Sequence, residues 1–586
     1  MFKTRFGFTQ TATTSFLALA SFCMLSAQSR LFETQFERSD GLETATYREA
    51  ITFYKNLAKA YPEISIDSIG ETDSGEPLHF VTLNGDMDFN FSNIRTYKRL
   101  LLINNGIHPG ESDGIDATMM LFRDFVQGKI SIPKHTVVVT IPIYNVGGSL
   151  NRNSTSRTNQ NGPKAYGFRG NARHYDLNRD FIKCDTKNAQ AFTELYHLIK
   201  PDVFIDTHVS NGADYQYTLT HLFTQHNKLG GELGHYMHTK IKPKLVEKLI
   251  KKQWDITPYV NVFNESPDKG FSQFLDYPRY STGYTTLFNT LGMMVETHML
   301  KPYKQRVTGT YELIKSMIEI TEEEGQTISA LRKQALQNFK KGNAYPLDWE
   351  LDTATTTPLN FKGYEAERIK SAVTGQARLK YHRERPYIKT ISYQNYYAPR
   401  LEIPIPSAYV IPQGWHKVIK LLKLNQIEMT ILKQDTVMPI EAYKINDFET
   451  VLTPFEGHYL HFNTSAIPSS RVKSFRTGDV IVHTNQPGIR YIMEILEPMA
   501  PDSFFNWNFF DTILQQKEHF SPYVWEDKAL ALLNHNGVLK KAFEEKKLRD
   551  KSFSEQGYAQ LDWLHKQSEH YEKEHMEYPI YRIVIP

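Results

Sequence analysis

Leu101-Leu102-Ile103-Asn104-Asn105-Gly106-Ile107-His108-Pro109-Gly110-Glu111 is the stretch on which the fold turns. Its apolar start reads as a buried strand, and Asn-Asn-Gly are turn residues that stop it. His108 and Glu111 follow at once, and Asp113 to Gln127 reads as a helix. Two side chains able to bind a metal therefore sit where a strand hands over to a helix. In open α/β sheets, ligands bind at that carboxyl edge of the strands. His-x-x-Glu alone is weak evidence. Among 21 histidines roughly one such pairing is expected by chance. The ordinary alternative is a loop histidine beside a solvated glutamate.

Working outward, strand-like runs alternate with helical ones. Thr46 to Tyr61 reads as a helix ended by Pro62. Ile64 to Ile69 and Leu78 to Asn84 alternate like strands, and Thr136 to Tyr144 is a β-branched strand. A helix over Thr186 to Lys200 leads into a strand at Val203 to Asp206. Further strands are expected at Tyr217 to Thr224, Val260 to Asn264 and Met293 to Glu296. Helices are expected from about Gly231 to Lys252 and from Lys304 to Asn338. Such alternation implies a largely parallel, three-layer α/β domain. After about Lys341 short β-type runs dominate, so residues 343–586 read as one or two β-rich domains. Within them Trp415 to Leu424 reads as a helix, and Tyr491 to Leu496 as a strand.

A chain of 586 residues is too long for one ordinary core, so two or three domains are expected. With 40% hydrophobic and 23% charged residues it is globular rather than disordered. A net charge of +3 and the lack of a basic stripe exclude a nucleic-acid partner. Residues 1–27 resemble an export signal: Lys3 and Arg5, an apolar run from Phe16 to Leu25, then Leu25-Ser26-Ala27 before Gln28. That places the mature protein in the periplasm or outside the cell, with no membrane span after signal removal. Cys23 would leave with the signal. Cys184 is then alone, so neither a disulfide nor cysteine ligation of a metal is expected.

Three further stretches carry candidate chemistry. Val203-Phe204-Ile205-Asp206-Thr207-His208 ends a strand in a histidine, at the same sheet edge as His108 and Glu111. Two histidines and one carboxylate, with a fourth position left to water, make a catalytic zinc set; a core histidine is the plainer alternative for His208. Asp176-Leu177-Asn178-Arg179-Asp180 presents a planar cation beside a neutral donor, which suits a carboxylate. Arg157, in the polar loop Asn151 to Gly162, is a second candidate cation. Gly292-Met293-Met294-Val295-Glu296 ends an apolar strand in a carboxylate. Apolar neighbours raise such a pKa, as a general base near neutral pH requires; a capping glutamate is the alternative.

The set His108-x-x-Glu111, Asp176-Leu177-Asn178-Arg179, His208 and Glu296, in this order and each at a strand end or adjoining loop, resembles the zinc carboxypeptidase family, the funnelins. The resemblance runs from about Thr46 to Leu336. It implies a mixed eight-stranded sheet between helices, with residues 28–342 as catalytic domain. It implies one zinc on His108, Glu111 and His208, and Glu296 as base. Asn178 and Arg179 match the pair that holds a substrate's terminal carboxylate, so a peptide with a free C-terminus is the implied partner. The arginine that polarises the scissile carbonyl is assigned to Arg157, with Arg152, Arg169 and Arg173 competing. The mobile tyrosine over bound substrate falls to Tyr280 or Tyr284. Ser281 and Thr282 argue against a charged specificity pocket. Asn145-Val146-Gly147-Gly148 departs from the family's Asn-Pro-Asp-Gly, as expected of a divergent bacterial branch. Asn506 to Asp511 and Tyr578 to Arg582 are similar to the closing region of large bacterial members. Rival readings are an amidase of peptidoglycan peptides or a small-molecule deacylase of the same fold, a binding protein without turnover, and an adhesion protein acting through its β-rich part.

Overall fold

A computed structural model describes residues 32–584; the signal-like segment lies outside the described residues. In chain order the first strands are β1 (Ile64–Glu71), β2 (Pro77–Leu83), β3 (Arg99–Asn104), β4 (Thr136–Ile141), β5 (Val203–Val209), β6 (Leu219–Phe223), β7 (Ile256–Pro258), β8 (Phe271–Ser272) and β9 (Leu291–Thr297). Eight of them form one sheet in the order β1-β2-β4-β3-β5-β9-β6-β7. The four central strands β4, β3, β5 and β9 are mutually parallel, while β2 and β6 run against them. The sheet is thus mixed, and the carboxyl ends of β3, β5 and β9 lie side by side.

Side chains alternate across this sheet as the pleat requires. Leu101 and Ile103 join the core made with helices Tyr47–Ala60, Asp113–Val126 and Tyr303–Ala335. Leu100 and Leu102 join the opposite core, with helix Lys187–Ile199. Burial on both faces is why β3 to β5 read as unbroken apolar runs. The helix Tyr47–Ala60 starts at a capping box, Thr46 with Glu49. Thr186 likewise caps Lys187–Ile199.

The rest of the chain is not a separate bead. The core under Leu100, Leu102 and Phe204 continues without a break into Tyr345, Tyr409, Tyr491 and Trp507. Here β10 (Ala344–Leu351) pairs with Tyr397–Pro404. The long hairpin β11 (Thr357–Lys370) and β12 (Ala377–Gln394) adds to β8. A six-stranded sheet includes the hairpin Thr436–Thr450/His461–Phe475 and the last strand, Tyr581–Ile583.

Two expectations fail locally. Tyr491 to Leu496 is not a strand but most of the helix Ile489–Leu496, buried along its whole length. At about two turns it is too short for length to separate a helix from a strand. Val260 to Asn264 is irregular and lines the cleft described below. Residues 522–566 are helical, with a small core of their own around Trp525 and Phe543. Among the described residues no helix is long and apolar enough to cross a membrane.

Candidate metal centre and cleft

The turn after β3 returns on itself through Glu111 N–H, which donates to His108 O at 2.7 Å. Asn105 braces it from below: its Nδ2 donates to Thr118 and Thr140 hydroxyls, and its Oδ1 accepts from Thr207 on β5. Gly114, at the start of the following helix, lies so close to Thr207 and Asn105 that a Cβ there would sit 2.2 Å from the Thr207 hydroxyl. The strand-to-helix turn is therefore held rigidly against the end of β5.

His108, Glu111 and His208 meet at this edge, each buried, with donor atoms all within 4.8 Å of one another. His108 Nδ1 lies 3.3 Å and His208 Nδ1 3.2 Å from the Glu111 carboxylate. The far nitrogens are backed by acids: His108 Nε2 stands 2.9 Å from Asp176 Oδ1, and His208 Nε2 3.0 Å from Asp206 Oδ2. A carboxylate behind each imidazole fixes ring orientation and sharpens its donor nitrogen, the usual arrangement around metal-binding histidines. His108 Nδ1 is buried and accepts no hydrogen bond, a costly state unless something binds there. Burial opposes ionisation of Glu111, but His108 and Arg157 outweigh it and hold the carboxyl well below its usual range. Burial likewise opposes charge on His208, yet Asp206 and Glu111 raise it well above an ordinary histidine. The centre thus attracts positive charge, and a cation there would replace that proton.

Glu296 lies opposite His208 in the β5–β9 register. It is partly accessible from the cleft. Burial pushes its carboxyl up to about 7, against the pull of His208 and with the repulsion of Glu111. It lines a cavity of about 240 Å³ with His108, Glu111, His208, Asn178 and Arg179. Asn178 is held by its Oδ1, which accepts from Ser281 N–H at 3.1 Å. Arg179 donates from Nη1 to Asn178 O at 2.8 Å and lies over the Tyr280 ring, 4.6 Å from its centre. Both line the cavity together with the three candidate ligands.

The arginine candidates separate cleanly. Arg157 is committed: Nη2 donates to Glu111 at 2.7 Å and Nε to Gln160 at 2.7 Å, and it does not line the cleft beside Glu296. Arg169 does, with Nε on Asp176 at 3.0 Å and Nη1 3.6 Å from Glu111. Arg152 and Arg173 bind backbone carbonyls elsewhere, at Ala165 and Asp185. Of the two tyrosines, Tyr280 lines the cleft. Tyr284 does not: it is fully buried on the helix Ser281–Thr286, its hydroxyl donating to Asn425 at 2.7 Å. One helical turn beyond Tyr280, it packs into the core instead.

Sequence reading passed over Asp206 and the lining residues Leu222, Tyr259, Phe263, Phe274 and Met294. Asp206 had a signal, since residues two apart on a strand share a face and it precedes His208 by two. Tyr259 and Phe263 come from an irregular loop with none.

No family model matches the chain. The chain is 21% identical over 516 residues to Carboxypeptidase 2 of Trichophyton rubrum, covering 80% of this chain and 84% of that protein. With Carboxypeptidase 2 of Trichophyton equinum the identity is 20% over the same shares. Solved structures similar to it include a metallo-carboxypeptidase from Burkholderia cenocepacia, at 15% identity and TM-score 0.35 over 45% of this chain and 67% of that one. Carboxypeptidase A from Helicoverpa armigera matches at 12% identity and TM-score 0.36, over 48% and 74%. The resemblance to carboxypeptidases read from short motifs is thus matched by sequence similarity along four fifths of the chain.

Proposed function

We propose that the chain is an exported, zinc-dependent metallocarboxypeptidase that removes the C-terminal residue of peptides. One observation carries it: two imidazoles and a carboxylate grouped for a cation share a single cavity with Glu296 and with the Asn178–Arg179 pair. Two nitrogen donors and one carboxylate suit zinc, and offer too few oxygens for calcium or magnesium. Zinc held by His108, Glu111 and His208 supplies Lewis acidity, which activates water at neutral pH and polarises a carbonyl.

The chain's own residues do the rest. Asn178 and the free N–H groups of Arg179 hold the substrate's terminal carboxylate, fixing the last peptide bond near Glu296. Glu296 takes a proton from the attacking water. The water oxygen bonds to the scissile carbon, the C–N bond breaks, and Glu296 returns the proton to the leaving amine. Arg169, rather than Arg157, has the place to stabilise the carbonyl oxygen as it gains charge. Tyr280 covers the bound end residue from its seat over Arg179. In the same reading residues 1–27 direct export to the periplasm or beyond, residues 28–342 form the catalytic unit, and residues 343–586 a second, largely β part.

Glu296→Gln tests the assignment. The variant is expected to bind zinc as the unaltered protein does and to lose turnover of C-terminally free peptides. Full activity in the variant would remove Glu296 from the reaction, and failure of the unaltered protein to bind zinc would remove the metal.

A further inference from the structure

The structure points to Glu456, far along the chain from the metal ligands, as the residue that sets the position of Asp176 and through it the donor nitrogen of His108. Its effect on turnover rests on the metallopeptidase reading; its effect on metal binding does not.

Asp176 is the hub of one wall of the cleft. Its carboxylate meets His108 Nε2 at 2.9 Å and Arg169 Nε at 3.0 Å, and caps the short 3-10 helix Leu177–Arg179 by accepting from Asn178 N–H at 2.9 Å. A metal-facing histidine, the cleft arginine and the Asn178–Arg179 pair therefore all take their place from one side chain. What holds Asp176 itself is its backbone N–H, which donates to Glu456 Oε2 at 2.8 Å.

Glu456 can reach Asp176 because a tight turn is pressed against the wall. Phe455 and His458 close it with paired backbone hydrogen bonds of 2.7 and 3.1 Å. Glu456 and Gly457 both adopt positive φ, 49° and 80°, a conformation that favours glycine. A Cβ on Gly457 would stand 2.6 Å from the Tyr175 hydroxyl, so the turn touches the residue next to Asp176. His458 Nε2 contacts Asp185 at 2.6 Å. Arg279, next to Tyr280 of the cleft, lies over the Phe455 and Trp507 rings at 5.8 and 5.2 Å. Trp507 belongs to the core shared by both parts of the chain. The turn thus has a rigid seat, and its carboxylate acts as a fixed stop for Asp176. Residues after 343 are in this respect part of the active-site wall, not an appendage.

The experiment compares Glu456→Ala, which removes the acceptor, with Glu456→Gln, which keeps one. Zinc affinity is measured by competition with a chromophoric chelator, kcat and KM with a C-terminally free peptide, and thermal midpoint alongside. Glu456→Ala is expected to weaken zinc binding about tenfold, the lower end for outer groups around a metal. It should lower kcat at least as much and raise KM as well, since the Asn178–Arg179 pair loses its cap with Asp176. Glu456→Gln should stay within threefold on every measure. Glu456→Met, which keeps the side-chain length, takes the place of Glu456→Ala if the latter does not fold. Unchanged zinc affinity and kcat in the Ala or Met variant would overturn the inference, as would a Gln variant impaired equally. Weakened zinc binding with Gln rescue, in a protein that cleaves no peptide, would uphold the positioning role and sink the peptidase reading instead.

Discussion

His208 on β5 and Glu296 on β9 are direct partners in a parallel strand pair, delivered to one rim of the sheet by adjacent strands. Asn104, at the end of β3, hydrogen-bonds Asp206 on β5 at 3.1 Å. Three strand ends held side by side in register place His208 and Glu296 at one rim, beside the turn that carries His108 and Glu111.

Asp206 backs His208 as Asp176 backs His108. Asp206→Asn should weaken zinc affinity by about 10–100-fold, the usual cost of losing an outer carboxylate. Competition with a chelator measures it. Unaltered affinity would mean that Asp206 does not orient the ring.

Gly114→Ala should destabilise the fold and distort the rim, because the new methyl would meet the Thr207 hydroxyl at 2.2 Å and Asn105 Oδ1 at 2.4 Å. Both belong to the buried hydrogen-bonded brace under the site, which cannot give way without breaking bonds. A loss of about 1–3 kcal/mol is expected, read from urea unfolding, with a parallel loss of zinc affinity. A variant as stable as the parent would show that the brace is soft.

Burial drives His197 down to about 4, with Asn425 opposing and Lys200 adding to the shift. Its folded pKa lies below its unfolded one, so this histidine's contribution to stability is complete above about pH 6.5 and is lost as pH falls toward 4. The loss should be on the order of 2–3 kcal/mol by the lower end. His197→Gln should flatten the fall of the urea midpoint between those pH values. An unchanged slope would contradict it.

Leu222, Phe263, Phe274 and Met294 line the cleft, and its only carboxylates are Glu111 and Glu296 at the centre. A basic end residue would find no spare partner there. Peptides ending in Phe, Leu or Met should be cut at least tenfold faster than those ending in Lys or Arg, since an unpaired buried charge costs far more than a lost methylene. A digested peptide library read by mass spectrometry decides the order.

Much of this was legible in the residues because the site lies where strands end. The apolar runs before Asn104 and Glu296 mark buried strands, and the polar residues that follow them fall at the rim. Loops gave no such guide. Arg157 and Arg169 are both plausible by position, and only tertiary packing separates them: Arg157 is bound to Glu111 and Gln160, while Arg169 lines the cleft. Tyr280 and Tyr284 differ by one helical turn, which sends one into the cleft and the other into the core. Asp176 and Glu456 are 280 residues apart in sequence. No local pattern encodes a contact made across that distance by tertiary packing.

The most direct measurement uses one peptide in two forms, with a free C-terminal carboxylate and with a C-terminal amide, each incubated with the zinc-loaded protein and followed by mass spectrometry. The proposed recognition of the terminal carboxylate by Asn178 and Arg179 predicts that single end residues are released from the acid and that the amide is cut at least a hundredfold more slowly. Equal cleavage of both forms, or cleavage inside the chain, would contradict it.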